Sequence, residues 1–248
     1  MVTMCGRFVS TTKPEDLVGL FGVTSWNPAE TLEPDYNVAP TKDVWAVLER
    51  LDKDTDVVQR HLRALRWGLV PSWAKDPSVG SRMINARVET VHEKPAYRKA
   101  FATRRCLLPA DGFFEWKPLP AAEGRKATKQ PYFIVPADGQ LMAMAGLYEF
   151  WRDRTRPDGD PAAWLTTVTI ITTEARDAAG RIHDRMPLTI HPDDADAWLD
   201  PAHTDPDELR ALLHTPADGQ LTATAVSLAV NNVRNNGPHL LDPVPDPA

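Results

Sequence analysis

Short runs of apolar and β-branched residues recur along this chain at 43–50, 56–66, 105–116, 131–136, 140–148, 164–172 and 222–230. Each is bounded by turn-forming residues, which predicts a strand. Helical spacing of apolar residues appears over 13–21, 92–101, 173–180, 191–199 and 205–214, each opened by an acceptor, an acid or a proline. In the first of these, Thr12-Lys13-Pro14-Glu15 has capping-box spacing ahead of Leu17, Val18, Leu20 and Phe21. Ala137-Asp138-Gly139-Gln140 predicts a hairpin turn, and the polar stretches 118–130 and 152–163 predict surface loops. Helices interrupt strands without regular βαβ alternation, so the pattern predicts an α+β fold rather than a doubly wound sheet. No repeat and no internal boundary is visible, and the expected organisation is one domain spanning 5–240.

With 42% hydrophobic and 25% charged residues in 248, the chain can bury a sizeable core. Two cysteines without CxxC spacing predict a reducing, cytoplasmic setting with no disulfide, and the absence of a long apolar run predicts no membrane span. The formal net charge of -6 argues against a polyanionic partner until its distribution is considered. From Arg63 to Arg105 ten Lys/Arg stand against three Asp/Glu, whereas from His191 to Ala248 two stand against ten. One face of an acidic protein can therefore still attract a polyanion, because local fields decide such contacts.

That possibility directs attention to the run Met4-Cys5-Gly6-Arg7-Phe8. Removal of four residues would make Cys5 the amino terminus, with an α-amine and a thiol on adjacent carbons. The amine can form a Schiff base with an aldehyde, and the sulfur can then add to the same carbon and close a five-membered ring. An α-amine titrates near about 7.7–8.0, so an appreciable fraction is nucleophilic at neutral pH. The plain alternative is a small buried apolar residue beginning a strand.

Four further segments place polar residues in apolar surroundings, which is costly unless each is bonded or has a task. In Met83-Ile84-Asn85-Ala86-Arg87-Val88-Glu89, Asn85 and Arg87 fall on one side of an extended segment. An amide there can hold a reacting oxygen or amine, and a guanidinium can grip a phosphate; Asn85 could equally be a local loop or cap amide. In Asp111-Gly112-Phe113-Phe114-Glu115-Trp116, aromatic neighbours would raise the Glu115 pKa toward the range of proton exchange, unless it is simply paired with an arginine. Ile182-His183-Asp184-Arg185-Met186-Pro187 sets an imidazole beside a guanidinium, a proton carrier beside an anion holder. Tyr36-Asn37-Val38-Ala39-Pro40 and Trp67-Gly68-Leu69-Val70-Pro71-Ser72-Trp73 offer aromatics that can pack a core or stack on unpaired bases.

No HExxH, paired CxxC, GxSxG or Gly-rich phosphate loop is present, so neither a metal nor a nucleotide cofactor is expected. Cys5 with His183 also admits a thiol hydrolase acting on peptides, and spacing alone leaves that rival open.

Taken in order, MCGRF, YNVAP, INARVET, DGFFEW, IHDRMP and VNNVRNNG closely resemble the SOS-response-associated peptidase (SRAP) family. The resemblance implies a single α+β domain with a curled, barrel-like, mostly antiparallel core and flanking helices. It implies a sensor of abasic sites in single-stranded DNA, crosslinking to the ring-opened sugar as a thiazolidine through an exposed N-terminal cysteine, here Cys5, and shielding the lesion in the DNA damage response. Asn85 would orient the amine and sugar oxygens, Glu115 would be the general acid/base, and His183 would assist sugar opening and Schiff-base proton transfer. Arg7, Arg87 and Arg185 would bind phosphates, and Trp73 would stack on a base. Lyase-like chemistry, replication proteins as further partners, association with the nucleoid and a monomeric state are the accompanying expectations. The sequence departs from this pattern in placing Met1-Val2-Thr3-Met4 before Cys5. Initiation at Met4 with ordinary methionine excision would expose Cys5, as would autoproteolysis of the Met4–Cys5 bond; the adjacency of Met4 favours the first.

Overall fold

The longest apolar runs fold into strands that close on themselves. The computed structural model describes residues 5–52, 54–120, 128–214 and 219–247. Residues 1–4 and most of the 118–130 loop therefore lie outside the described residues. Among the described residues the strands are β1 Phe8–Ser10, β2 Ser25–Trp26, β3 Asp35–Val38, β4 Asp43–Asp52, β5 Val57–Trp67, β6 Asn85–Arg87, β7 Arg105–Ala110, β8 Gly112–Pro118, β9 Lys129–Pro136, β10 Met142–Arg152, β11 Trp164–Glu174, β12 Arg185–Pro187 and β13 Leu221–Ala225. The helices are short: α1 Pro14–Leu20, α2 Arg98–Thr103, α3 Asp177–Gly180, α4 Ala195–Leu199 and α5 Pro206–Ala211.

Antiparallel pairings run β5–β4–β7–β10–β11, and a parallel pairing of β11 with β5, Thr167 to Arg66 and Val168 to Trp67, closes the ring. The result is the predicted barrel-like α+β architecture, a closed five-stranded mixed barrel. A second sheet, in the order β13-β9-β8-β1-β3, packs beside it. Residues Val44 to Leu48 are buried on both faces of β4. Alternate residues fill the barrel with Leu48, Leu65, Trp67, Leu108, Met144 and Ile170, or pack outside it with Val47, Leu62, Leu107 and Ile171 against Leu17, Phe101 and Trp198 of the helices. Double-sided burial explains why these strands read as continuous apolar runs.

Five strands leave little interior volume. Gly146, paired with Cys106 and Ile170, occupies an inward position where a Cβ would collide with Leu108 Cδ1 and lie 2.9 Å from Cys106 Sγ. Gly146→Ala is expected to destabilise the fold by about 1–3 kcal/mol, read as a lowered denaturation midpoint; an unchanged midpoint would mean that the barrel can expand.

Several expectations are corrected. The run 105–116 is two strands, because the chain changes sheets at Asp111, whose carboxylate accepts from Thr11 N, Thr11 Oγ1 and Thr12 Oγ1. Thr12 is thereby spent, and α1 starts from Lys13 without a side-chain cap in place of the expected capping box. Gly112 is required at the crossing, since a Cβ there would meet Val135 Cγ1 at 2.6 Å. The turn at Ala137–Gln140 forms, with Gly139 at φ 72°, but joins no hairpin. Its flanking strands lie in different sheets, β9 between β8 and β13, β10 between β7 and β11. The helix expected over 92–101 starts only at Arg98, beyond Pro95, and that over 173–180 shrinks to α3 because β11 continues to Glu174. The strand expected over 222–230 stops at Ala225, and Ser227 caps a 3-10 turn over Leu228–Asn231.

Candidate functional site

The site lies where β11 outruns its barrel neighbours. Beyond the reach of β5, β6 takes the same edge of β11, pairing Asn85 with Ile170 and Arg87 with Thr172. Beyond β10, β12 takes the other edge, pairing Arg185 with Glu174 and Pro187 with Thr172. Asn85, Arg87 and Arg185 thus reach one end of the barrel through backbone register. The second sheet supplies the rest: β1 pairs antiparallel with β8, and Phe114 N donates to Arg7 O at 3.0 Å, which brings the segment ahead of Phe8 alongside Glu115.

Cys5 is buried, 2% exposed, and its φ of 43° lies in the left-handed region that non-glycine residues seldom occupy. Its backbone N–H donates to Glu115 Oε1 at 2.5 Å, and its thiol lies 3.7 Å from Arg185 O. A strained residue held between two functional groups is the pattern expected where chemistry rather than packing selects the conformation. Burial, reinforced by the adjacent Glu115 charge, pushes the Cys5 thiol well above its ordinary range, and Arg185 opposes the shift. The resting sulfur is a neutral thiol.

Glu115 is 1% exposed on β8, and burial raises its carboxyl pKa against the opposing influence of His183 and the Cys5 hydrogen bonds. A carboxyl poised above its usual range beside a nitrogen and a sulfur can pass protons to either. His183 follows α3 in a tight turn closed by His183 N to Ala179 O at 3.0 Å. Its Nδ1 lies 3.1 Å from Arg185 N and 2.8 Å from Asp184 Oδ1. Nδ1 can accept from Arg185 N when it carries no hydrogen and donate to Asp184 only when it carries one.

Arg185 is buried, and its guanidinium donates to Glu89 Oε1 at 2.5 Å, Glu89 Oε2 at 3.1 Å and Thr172 O at 2.5 Å. Those bonds, led by the hydrogen bond from Arg185, hold the Glu89 carboxyl below its usual range. Arg7 is half-buried: Nη1 donates to Asn37 Oδ1 at 2.7 Å and Val230 O at 2.9 Å, with the guanidinium 5.9 Å from the Trp116 ring centroid. Arg87 is exposed, and Trp73 is 64% exposed on the excursion between β5 and β6. That excursion is pinched at its base where Gly68, at φ 122°, crosses Gly80 so closely that a Cβ on either would meet the other's carbonyl oxygen at 2.5 Å. Direct contacts therefore join Cys5, Glu115 and Arg185. Asn85 and Arg87 lie at the same end of the fold, whereas the excursion carrying Trp73 is tied through Ala74 O to Trp151 Nε1 on β10, whose partner on β11 is Leu165 at the opposite end of that strand.

Two residues were not singled out from the sequence. Asn37, fully buried on β3, donates through Nδ2 to Val230 O, Asn232 O and Asn235 O at 3.0–3.2 Å, tying the asparagine-rich segment to the second sheet. Its signal was an asparagine inside a strand-like run, where that residue is disfavoured unless bonded. Glu89 was visible only as an acid two residues from Arg87. The basic stretch from Arg63 to Arg105 is not one surface either. Arg105 is buried and donates to five carbonyl groups, Arg104 pairs with Glu149 at 2.7 Å, and Arg63 pairs with Glu30 at 3.1 Å. Among the described residues there is no grouping of three His, Cys, Asp or Glu suited to a metal ion, and no helix long and apolar enough to cross a membrane.

The model of the family described as SOS response associated peptidase (SRAP) matches residues 4–233. An abasic site processing protein of Bacillus subtilis, YoqW, is 40% identical over 239 residues, covering 96% of this chain and 99% of its own. The abasic site processing protein HMCES of Xenopus tropicalis is 33% identical, over 96% of this chain and 78% of its own. Among solved structures, a protein from Bacteroides thetaiotaomicron superposes with a TM-score of 0.79 at 24% identity, over 97% of this chain and 100% of its own, a likeness of fold. A phage-related protein from Bordetella bronchiseptica superposes with a TM-score of 0.63 at 30% identity, over 90% and 94% of the two chains. With a family model spanning most of its length and relatives of such identity, the chain belongs to the SRAP family.

Proposed function

We propose that this protein captures abasic sites in single-stranded DNA by closing a thiazolidine between Cys5 and the ring-opened sugar. The observation that carries the reading is the 2.5 Å contact between Cys5 N and Glu115 Oε1, which sets the nitrogen of the reacting residue on a buried acid/base group. Once the bond to Met4 is gone, that nitrogen is an amine. It adds to the aldehyde carbon to give a carbinolamine, whose hydroxyl takes a proton from Glu115 and leaves as water, and a protonated Schiff base forms. The thiol then adds to the same carbon, its proton passing to Glu115 and the carbon–nitrogen double bond becoming single; the net change is loss of one water.

His183 assists opening of the sugar, and Asn85 orients the amine and the sugar oxygens. Arg87, Arg7 and Arg185 hold the flanking phosphates, and Trp73 stacks on a neighbouring base. The Glu89 carboxylate and the Asn37 amide position two of these arginines. Exposure of Cys5 follows from initiation at Met4 with methionine excision, or from cleavage of the Met4–Cys5 bond by the protein itself.

The rival, a cysteine hydrolase of peptides, calls for an imidazole on the sulfur and a depressed thiol pKa. Cys5 has a raised one, and its sulfur faces a backbone carbonyl. The deciding experiment incubates the mature protein with a single strand bearing one abasic site and looks for an adduct that survives denaturant and is absent with intact DNA. Phosphate binding adds its own expectation. Arg87→Ala should weaken non-covalent single-strand binding and reduce the slope of log affinity against log salt by about 0.7, read by fluorescence anisotropy. An unchanged slope would remove Arg87 from the phosphate path.

A further inference from the structure

The barrel has a second mouth. Cys5 and its partners gather where β11 passes Ile170 to Glu174, whereas Thr166 lies at the other end of the same strand, about 20 Å from Thr172 at the usual rise per residue. There Arg50 of β4, His61 and Arg63 of β5, Tyr148 and Phe150 of β10 and Thr166 of β11 surround a cavity of about 30 Å³, floored by Leu48 and Leu65. We propose that this far mouth is a second binding site, one that takes a phosphate group.

Three nitrogen-bearing side chains converge on a space with room for about one water, so an anion seats at its open mouth between them. The Arg50 guanidinium lies 5.2 Å from the Phe150 ring centroid, which holds it across the opening, and among the described residues it forms no ion pair. Arg63 gives its Nε to Glu30 at 3.1 Å and keeps both terminal nitrogens for another acceptor. Two guanidinium forks, an imidazole and the Tyr148 and Thr166 hydroxyls supply more donors than one carboxylate can accept, and they match a tetrahedral dianion. The groups acting on His61 are Arg50 and Asp52 from β4 and Arg63 from its own strand; burial, followed by the two arginines, lowers its pKa, with Asp52 opposing. An anion seated among them reverses that imbalance and favours the imidazolium. The site is independent of Cys5 and of the reading proposed for it.

The test follows the His61 ring resonances of the full chain labelled with ¹⁵N-histidine, identified by their loss in His61→Gln. Inorganic phosphate is expected to move them saturably and to raise the His61 pKa, while chloride at equal ionic strength does neither. Arg50→Gln and Arg63→Gln, both at exposed positions, should each weaken phosphate binding by about tenfold or more, and Cys5→Ala should change nothing. A single-stranded oligonucleotide without an abasic site forms the second arm. If it produces the same movement at lower concentration, the phosphate belongs to a nucleic-acid strand; if only inorganic phosphate does so, it belongs to a small molecule. No response to either, an equal response to chloride, or undiminished binding in the double variant overturns the proposal.

Discussion

Cys5→Ala should abolish the denaturant-stable adduct with abasic-site DNA while leaving the fold and non-covalent strand binding close to wild type. The side chain loses only a buried thiol, and the backbone nitrogen keeps its place on Glu115. An alanine amine can still form a Schiff base, but that product hydrolyses, because no second nucleophile closes the ring. Cys5→Ser separates the ring from the Schiff base: its oxygen analogue closes a weaker ring, so its adduct should decay faster under denaturing conditions. Full yield and full persistence with serine would rule out a sulfur heterocycle. A denaturing gel over a time course measures both, and intact mass of protein from its native host reports whether Cys5 is the first residue.

The second large effect is expected at Glu115. Glu115→Gln preserves the shape and can still accept the Cys5 N–H, yet it cannot move a proton, so the crosslinking rate should fall by about 10²–10⁴-fold. The same change should stabilise the fold at neutral pH. Burial raises the Glu115 pKa in the folded protein above the roughly 4.3 of an unfolded chain, so the folded state binds this proton more tightly. The resulting stabilisation is complete below the unfolded value and is lost as pH rises through the folded one. Glutamine has no such proton to lose. Denaturant titrations should therefore show the variant gaining on wild type from acid to neutral pH, and a variant less stable at neutral pH would mean that the carboxylate is held by favourable contacts.

How far the sequence foretold this arrangement depended on the length of each element. Strands β4, β5, β10 and β11 were legible because ten or eleven residues of apolar pattern outweigh local noise. β1, β6 and β12 are three residues each; β6 was expected only as an extended segment, β1 only as the plain alternative for Cys5, and β12 not at all, although they carry or flank Cys5, Arg7, Asn85, Arg87 and Arg185. Such short segments are extended only because β8 and β11 offer them open edges, a tertiary fact with no local signature. The change of sheet at Asp111–Gly112 escaped notice for the same reason, since an apolar run reads identically whether it continues in one sheet or crosses to another. Polar groups in apolar segments were easier to pick out than the topology. Glu115 among aromatics and His183 beside Arg185 stood out as polar groups in costly places, whereas Asn37 lay in a segment read for its aromatic neighbour and Glu89 in one read for Asn85 and Arg87.

The burial of the Cys5 nitrogen against Glu115 carries a practical lesson for preparing the protein. Under the proposed ring closure, an affinity handle fused upstream of Cys5 occupies the valence that the ring requires, and a purified sample is expected to be well folded yet inert. Handles belong on the carboxyl side, and any inactive batch should first be checked for an unprocessed leader.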